Sequence, residues 1–421
     1  MKAFAIATLG ICILFRAYAE GLEARYGLTD LGPIGPAGQV VYIARNGLIA
    51  GAVQQSDNTE RAVLFYGRQR LDISIPGIGG KNSVAYGVNI FGQAVGGAET
   101  GQRDPGQVDF CGFKTLGLST NGAVCAAFVW QNGVMKKLPT LGGNNGSGDQ
   151  INSSGAISGE VENTSPDPGC PQRFQVKPVR WQNGKIVQLA TYPGDPDGVA
   201  YAINDAGQVV GSTGTCAPFN PTFVLAMVPA HPMLWEPDGT PRYLGTLGGT
   251  GSNPNAANLT LNINNNGHAV GTSALAGDET SHAFLWTMEK GMQDLGTLPG
   301  DFQSGAIAVN DRDQITGISI GPDGPRAYVW QNGTMSDLNA LVRRTSLHLL
   351  VGDGINASGQ IAGLAVDTGS GEVHAYIATP LGRGDSEQQD SEPLFSVEDL
   401  RRVLDQLRPL SQHGIRFAPG W

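Results

Sequence analysis

The chain has 421 residues, 61 of them glycine, with 27 Lys and Arg against 37 Asp and Glu, a formal net charge of −10. Glycine without a Gly-X-Y period, together with 40% hydrophobic residues, excludes collagen and disorder as descriptions of the chain. The acidic balance argues against a nucleic-acid partner, because a phosphate backbone is bound by a basic face. Abundant glycine with few charges favours short β-strands joined by tight turns.

The first 19 residues are typical of a secretory signal peptide. Lys2 precedes an apolar run at residues 3–15, and residues 17–19 (AYA) form a small-residue cleavage site. An uncleaved anchor is the alternative, but about 13 apolar residues are too few to span a bilayer. No later segment is apolar enough to span. We therefore expect a secreted or periplasmic protein without a transmembrane segment.

A phrase exemplified by INDAGQVVG (203–211) recurs along the chain and sets its organisation. In most copies it is followed by an apolar strand ending in an aromatic residue and then by a strand resembling DLGTL, as in HAFLW (282–286) and MQDLGTLPG (292–300). Such self-similarity is the signature of a repeat architecture. The seven copies lie at residues 42–51, 86–96, 150–159, 200–211, 262–271, 307–317 and 353–363.

The two ends of the repeat array are complementary. Residues 26–35 resemble a DLGTL strand without the strands that should precede it, and the seventh copy stops without that strand. A ring of sheets must close to avoid exposed edges. The sequence therefore predicts an all-β fold, a seven-bladed β-propeller at residues 20–380 closed by the N-terminal strand. A right-handed β-solenoid is the alternative, but it gives the offset no purpose.

Beyond residue 380 the repeat ends. Residues 381–395 are polar and linker-like. Residues 396–421 begin with a sequence similar to a capping box and continue with apolar residues at helical spacing, which predicts a short C-terminal helix and a tail. A single short amphipathic helix should dock on the propeller or on a partner.

Two repeated positions are expected to be structural. Glycine inside a strand costs stability, so its recurrence indicates close approach of a backbone or an aromatic ring. The tryptophans that end the third strand are candidates to fill that space by stacking across blades. The glycines are Gly51, Gly96, Gly159, Gly211, Gly271, Gly317 and Gly363, and the tryptophans are Trp130, Trp181, Trp235, Trp286 and Trp330.

Three insertions lie between the second and third strands of consecutive copies, at residues 100–125, 163–175 and 214–230. The short turns lie at the opposite ends of the strands, so the insertions should form one rim on one face of the propeller. Phenylalanines in this rim are the candidate ligand-binding residues, although packing of the insertions onto the blades is the alternative. They are Phe110, Phe113, Phe174, Phe219 and Phe223.

The predicted mature chain holds four cysteines, Cys111, Cys125, Cys170 and Cys216. An even number in an exported chain indicates two disulfides, for which three pairings exist. We predict Cys111–Cys125 within the first insertion. The remaining pair, Cys170–Cys216, would link the same loop of two consecutive repeats.

Taken together, INDAGQVVG (203–211), LGTLGG (244–249) and HAFLW (282–286) resemble the HAF-repeat family of bacterial exported proteins. The resemblance covers most of residues 26–380. It implies an extracellular protein of β-propeller type with no established general activity. The family supplies no catalytic residues to transfer, and the tail lacks the PEP-type sorting motif that some members carry.

The histidines and one acidic turn offer little for chemistry. His231, His282 and His374 recur at the first position of the third strand, which favours a structural role because an active site is normally built once. Residues 195–198 (DPDG) contain oxygen ligands suited to calcium, but a Pro/Gly turn is the favoured interpretation. No catalytic residue and no cofactor are predicted, and metal binding is left unassigned.

Two functions are compatible with this sequence. The favoured one is a non-enzymatic binding or interaction propeller, monomeric, with an unknown protein or glycan ligand on the insertion-bearing face. The alternative is a secreted carbohydrate-active enzyme, a lyase or hydrolase, with a site over the central channel. That enzyme needs convergent polar groups. Those in the insertions, Asp104, Asp109, Lys114, Glu162, Asp167 and Arg173, show no diagnostic spacing.

Overall fold

A computed structural model describes residues 25–74, 77–106, 108–120, 122–168, 173–216, 227–253, 256–343 and 345–382. The predicted signal peptide, most of the linker and the predicted C-terminal helix lie outside the described residues. Those that are described form seven four-stranded antiparallel sheets, which confirms the seven-bladed propeller. Within these ranges no helix is long and apolar enough to cross a membrane.

Each blade is a meander whose first strand lines the central channel. The described strands begin with β1 (Tyr26–Pro33), which is the outer strand of blade 7. Blade 1 holds β2 (Gln39–Ile43), β3 (Ile49–Gln54), β4 (Glu60–Tyr66) and β5 (Gln69–Asp72), and blade 2 holds β6 (Gly79–Val88), β7 (Ala94–Arg103), β8 (Ala123–Gln131) and β9 (Val134–Lys137). Blade 3 holds β10 (Gly142–Ile151), β11 (Ile157–Pro166), β12 (Phe174–Gln182) and β13 (Lys185–Gln188), and blade 4 holds β14 (Asp197–Ile203), β15 (Val209–Cys216), β16 (Met227–Trp235) and β17 (Pro241–Tyr243). Blade 5 holds β18 (Leu259–Ile263), β19 (Ala269–Ala274), β20 (Ser281–Thr287) and β21 (Gly291–Asp294), and blade 6 holds β22 (Gln303–Val309), β23 (Ile315–Gly321), β24 (Gly324–Gln331) and β25 (Thr334–Asp337). A single helical turn, α1 (Leu338–Leu341), leads to β26 (Leu347–Ile355), β27 (Ile361–Asp367) and β28 (Val373–Pro380) of blade 7.

Blade 7 is completed by the N-terminal strand, as the sequence predicts. Its strand order is β1-β28-β27-β26, with Tyr26 opposite Pro380 and Pro33 opposite His374. Without β1, the backbone groups of β28 would form an open sheet edge, which costs hydrogen bonds and invites association. The ring is therefore closed by pairing between the two ends of the chain rather than by a covalent link.

Tryptophans at the ends of third strands join neighbouring blades. Trp181 and Trp235 are fully buried, and their indole Nε1 atoms donate to Pro139 O (2.8 Å) and Ala190 O (2.7 Å) in the connection that precedes each blade. Burying an indole is favourable when its N–H has a partner. Trp181 packs in one cluster with Val129 of blade 2, and Trp235 in one with Ala156 of blade 3, whereas ring stacking across blades stays a prediction. Trp330 is only partly buried.

Each inner strand contains a β-bulge opposite the invariant glycine. In blade 6, Ala306 pairs with Gly317 and Ala308 with Thr316, which leaves Ile307 as the extra residue. A Cβ on Gly317 would lie 2.0 Å from Gly305 O, so only glycine lets the bulged backbone come this close. The predicted close approach is therefore confirmed, and the approaching group is the backbone of the same blade.

The aromatic neighbour of these glycines is usually not the predicted tryptophan. A Cβ on Gly159 would lie 2.8 Å from the Trp181 ring. At Gly271 and Gly363 the nearest ring belongs instead to Phe284 or Tyr376. The tryptophan prediction is wrong at Gly271, because the residue opposite this glycine is Phe284, two positions before Trp286. In blade 7 the tryptophan position is taken by Ala378, and Tyr376 lies opposite Gly363.

Candidate functional site in the central channel

The bulges turn one side chain of each inner strand into the central channel. A bulged residue is left out of the ladder, and its side chain is re-aimed relative to its neighbours. The seven side chains are partly exposed, whereas most of the residues that flank them are buried. All seven line one cavity of about 580 Å³. We call them the bulge ring: Val41, Tyr86, Asp149, Tyr201, Leu261, Ile307 and Asp353.

A pair of carboxyl groups lies in blade 3. Asp149 belongs to the bulge ring, and Glu160, which follows the invariant glycine on β11, lies beside it and is only 7% exposed. Neither Asp149 Oδ2 nor Glu160 Oε2 meets a hydrogen-bond donor of the described chain. Burial raises the pKa of Asp149 to about 7. Burial, and then the neighbouring Asp149 carboxylate, raise the pKa of Glu160 well above its usual value. Two adjacent buried carboxylates repel, so the pair holds a proton near neutral pH.

A third carboxyl group lies almost opposite in the ring. Asp353 of blade 7 is flanked in the bulge ring by Ile307 and Val41, and three blades separate it from Asp149 on one side and two on the other. Its Oδ2 has no hydrogen-bond partner among the described residues. Burial raises the pKa of Asp353 to about 8. An acid placed among apolar side chains without a donor is costly to ionise.

Two tyrosines flank the carboxyl pair. Tyr86 of blade 2 and Tyr201 of blade 4 are the ring neighbours of Asp149. Burial raises the pKa of both phenols, and nearby carboxylates, Asp149 and Glu160 among them, raise it further. The phenols are therefore neutral, and their rings add aromatic surface beside the acids.

The cavity has acids but no base. The residues that line it in the described structure include Asp149, Glu160 and Asp353, and none is Lys, Arg or His. Most of the remaining wall is aliphatic or aromatic, with Ile318 and Leu364 next to the bulge ring. Buried carboxylates need a counter-charge, a donor or a proton. Ser147 Oγ donates to Asp149 Oδ1 at 3.3 Å, but no base of the described chain faces the acids, so protons or a guest must neutralise their charge.

The end of the channel that carries the tight turns is closed. The turn asparagine of each blade from 2 to 6 donates its Nδ2 to the backbone oxygen of the equivalent asparagine in the next blade, for example Asn310 to Asn356 O at 2.9 Å. Arg45 Nη2 reaches across to Asp311 Oδ2 at 2.5 Å and to Asp205 Oδ2 at 3.9 Å. Only about 80 Å³ of space is left there. We call the asparagines the turn ring: Asn89, Asn152, Asn204, Asn264, Asn310 and Asn356.

The first insertion covers part of the opposite end. Phe110 is 2% exposed and lines the cavity, and it belongs to one apolar cluster with Val84 and Val199 of the inner strands and with the rings of Tyr86 and Tyr201. A disulfide joins Cys111 to Cys125, with the Cα atoms 5.6 Å apart, and ties the insertion to β8. This pairing is confirmed. Cys170 lies outside the described residues, so Cys170–Cys216 stays a prediction.

No family model matches the chain, and no curated protein matches it. The chain is similar to the solved structures of an oligogalacturonate lyase in complex with manganese (12% identity, TM-score 0.43, 85% of this chain and 93% of that chain) and of Trypanosoma rangeli sialidase in complex with sialic acid (10%, 0.38, 94% and 61%). It is also similar to an Aleuria aurantia lectin mutant in complex with α-methyl-L-fucoside (12%, 0.33, 64% and 76%). Likeness this weak carries no argument about activity.

The predicted phenylalanines fall into three groups. Phe110 contacts the cavity, whereas Phe113, 1% exposed, packs inside the insertion. Phe174 is half-buried at the start of β12. Phe219 and Phe223 lie outside the described residues. Contact of any of these rings with a ligand stays a prediction, and the geometry favours Phe110.

The polar groups of the insertions serve their own loops. Asp109 accepts from Lys114 N and Thr115 N at 3.0 and 2.8 Å. Glu162 accepts from Asn145 N at 3.0 Å. Such side chains replace the backbone partners that an irregular segment lacks. They position the insertions and do not converge on the cavity.

The repeated histidines bond to acids on neighbouring strands. His282 Nδ1 lies 3.0 Å from Asp294 Oδ1, and His374 Nδ1 lies 2.9 Å from Asp30 Oδ1, the aspartate of the DLG sequence in both cases. His231 instead lies 2.8 Å from Asp195 Oδ2. The first two contacts hold the outer strand to the third strand, and the third ties His231 to the connection before β14. These contacts support the structural interpretation.

The proposed calcium turn is occupied by contacts within the chain. Asp195 accepts from Thr213 Oγ1 at 2.6 Å besides contacting His231, and Asp197 Oδ1 accepts from Val176 N at 2.8 Å. In the described ranges no group of three or more metal-ligating side chains converges.

Sequence reasoning missed the bulge ring. One signal was available: three residues before the turn asparagine, the copies carry tyrosine, aspartate or an aliphatic residue, although the positions around it repeat closely. A variable position inside a regular repeat is where a scaffold can carry a site.

Proposed function

We propose that the protein is a non-enzymatic binding propeller and that its ligand occupies the central channel beneath the first insertion. The bulge ring is the observation that carries the proposal. It presents seven side chains of different chemistry to one cavity, while the repeated residues around it build the scaffold. Concave sites with an apolar wall and a few polar groups are typical of small-ligand binding.

The acids of the cavity support its assignment as a functional site. Asp149, Glu160 and Asp353 are held with raised pKa values by burial, and ionising them costs stability near neutral pH. Strongly perturbed acids in a cavity are candidates for a functional site. The scaffold does not need Asp149 or Asp353, because other blades have tyrosine or aliphatic residues at the bulge position.

Export and membership of the HAF-repeat family are part of the proposal. The His–Asp contacts of His282 and His374 give a physical reason for a repeated HAF and DLG pair. The Cys111–Cys125 disulfide is of a kind that persists in oxidising compartments. A protein or glycan partner on the insertion-bearing rim, and a monomeric state, stay predictions.

Filling the channel tests this proposal. Ile307→Trp should occupy the cavity, and Val187→Trp, at an exposed position (45%) on β13, is the matched control. A thermal-shift screen with saccharides, amines and carboxylates identifies ligands, and calorimetry measures their affinity. We expect each ligand to bind the wild type and Val187→Trp but to lose at least about tenfold in affinity for Ile307→Trp. Unchanged affinity for Ile307→Trp would place the site elsewhere.

The carboxyl pair also supports a second candidate, a hydrolase or lyase. A carboxyl group with a pKa near neutral can serve as a general acid or base, and Asp149 has that property. Glu160→Gln removes the partner acid with little change of shape. Turnover of a polysaccharide panel by the wild type, reduced at least about a hundredfold in Glu160→Gln, would establish this function in place of binding alone.

A further inference from the structure

We propose that the channel binds a linear aliphatic diamine, with one ammonium group beside Asp149 and Glu160 and the other beside Asp353. This inference rests on the proposed binding function and names its ligand class. Three observations carry it: the charge of the cavity, the placement of that charge and the chemistry of the wall between.

The acids of the cavity favour a cationic ligand. Three carboxyl groups line it and no base does, and Asp149 Oδ2, Glu160 Oε2 and Asp353 Oδ2 meet no donor of the described chain. Glu160 is only 7% exposed, so bulk water does not solvate it. An ammonium group supplies both the charge and three N–H donors.

The placement of the carboxyl groups indicates two charges rather than one. Asp149 and Glu160 form one pole in blade 3, and Asp353 forms the other in blade 7. Val41 and Tyr86 separate the poles on one side of the bulge ring, and Tyr201, Leu261 and Ile307 separate them on the other. A ligand with a single charge would leave one pole without a partner.

The wall between the poles suits an alkyl chain. Leu261, Ile307, Ile318 and Leu364 line it, and they offer no hydrogen bond to a hydroxyl group. A sugar hydroxyl group that faces these four side chains would lose its hydrogen bonds, which is costly, although Ser147, Gln150 and Asn262 also line the cavity. Methylene groups gain free energy when they are buried there.

The tyrosines favour an organic cation over a metal ion. Tyr86 and Tyr201 flank the blade 3 pole, where aromatic faces attract an ammonium group. Calcium requires six to eight oxygen ligands, and each pole has only one or two carboxyl groups. The two poles therefore suit ammonium groups better than a metal ion.

Binding should release protons at neutral pH. Without ligand the carboxyl pair and Asp353 hold protons, since burial raises their pKa values. An ammonium group stabilises the ionised carboxylates, so its arrival displaces those protons to the buffer. A neutral ligand would cause no comparable release.

Calorimetry at neutral pH in two buffers of different ionisation enthalpy tests the inference. The probes are α,ω-diaminopentane, aminopentane and pentanediol, followed by shorter and longer diamines. We expect the diamine of best length to bind at least about tenfold more tightly than the monoamine, with proton release, and the diol not to bind. A diol that binds as tightly as the diamine would overturn the inference.

Substitutions at each pole separate the two contacts. Asp353→Asn should reduce diamine affinity to the level of the monoamine and leave monoamine binding unchanged, whereas Glu160→Gln should weaken both. Asp323→Asn, in an exposed turn of blade 6, is the charge-matched control and should change neither. Asn and Gln remove a charge without removing volume, and unfolding midpoints confirm that each variant folds. Equal loss of monoamine and diamine affinity in Asp353→Asn would overturn the two-pole arrangement.

The test distinguishes failure of the ligand class from failure of the site. Saccharide binding that Ile307→Trp abolishes, with no amine binding, would overturn the diamine and leave the channel function standing. Diamine binding that Ile307→Trp leaves unchanged would overturn both.

Discussion

In six blades a turn-ring asparagine lies three residues after the bulge-ring residue. The turn ring repeats one residue type, whereas the bulge ring varies from blade to blade. Six blades share asparagine in the turn ring, where each side chain bonds to its own turn and, from blade 2 to blade 6, to the next blade. The bulge ring shares its backbone geometry, yet its side chains are acidic, phenolic or aliphatic. A repeat thus fixes residues that neighbouring blades need and leaves free those that face the channel.

Asn310 shows what asparagine contributes in the turn ring. Its Oδ1 accepts from Arg312 N (3.0 Å) and Gln314 N (3.1 Å), while its Nδ2 donates to Gln314 Oε1 (2.8 Å) and Asn356 O (2.9 Å). No other side chain offers this combination at the same length. Ile307, three residues earlier, contacts the cavity, so its replacement disturbs no ladder bond.

Opening the ring should have the largest effect on both rings. Removal of residues 20–36 deletes β1, exposes the edge of β28 and removes the buried side chains of Tyr26 and Ile34. We expect a loss of more than about 5 kcal/mol, comparable to the whole stability of many domains, with aggregation. Thermal unfolding and size-exclusion chromatography measure it, with removal of residues 1–19 as the control. A monomeric truncated protein with an unchanged midpoint would contradict the closed ring.

Disrupting the bulge should have the second largest effect on stability. Gly317→Ala places a Cβ 2.0 Å from Gly305 O, so the bulge that presents Ile307 must shift, at an expected cost of about 3 kcal/mol. Gly305→Ala, on the facing strand, meets nothing closer than 3.8 Å and should change stability by less than about 1 kcal/mol. Denaturant unfolding compares the two. Equal effects would mean that the bulge is not what selects glycine.

A break in the turn ring should cost less. Asn310→Ala removes four hydrogen bonds and leaves Asn356 O without its donor, so we expect a loss of about 2 kcal/mol. Asn46→Ala, an exposed position whose Nδ2 donates to Ile90 O at 3.0 Å, is the control and should cost about 0.5 kcal/mol. Ligand affinity should be unchanged in both. If Asn310→Ala altered ligand affinity and left the free energy of unfolding unchanged, the assignment of stability to the turn ring and of binding to the bulge ring would be wrong.

The smallest expected effect is a pH-dependent gain in stability when Asp353 of the bulge ring is replaced by asparagine. Burial raises the pKa of Asp353 from 3.8 to about 8, so the stability this group contributes is present below pH 4 and is lost as the pH rises to about 8. Asp353→Asn cannot ionise. It should exceed the wild type by about 1 kcal/mol at pH 9 and by only a small fraction of that at pH 5, where little of the loss has occurred, since access to the channel reduces the full effect. Unfolding at both pH values, with Asp323→Asn as reference, measures the difference. A gain of the same size at pH 5 would exclude ionisation as its cause.

Much of the fold could be predicted from local chemistry and from counting repeats along the chain. Seven copies of the turn gave seven blades, and the unmatched strands at the two ends gave the closure of β1 onto β28. The glycine at position 317 and its equivalents showed that a backbone must approach there. The pair Cys111–Cys125 followed from proximity within one insertion. Each of these features follows either from a pattern within one repeat, where turn geometry and strand alternation dominate, or from counting repeats and their unmatched strands.

The location of the candidate site could not be predicted from the sequence, because it depends on the folded arrangement of the blades. A bulge reverses the alternation of side chains, so the period of two along an inner strand does not show that Asp149 or Asp353 faces the channel. Glu160 joins Asp149 from the second strand, and Asp353 arrives from a blade more than two hundred residues further along the sequence. Their burial, their raised pKa values and the lack of a base exist only once ring closure brings seven inner strands around one cavity, because each of these properties belongs to the surroundings of a residue and not to the residue itself.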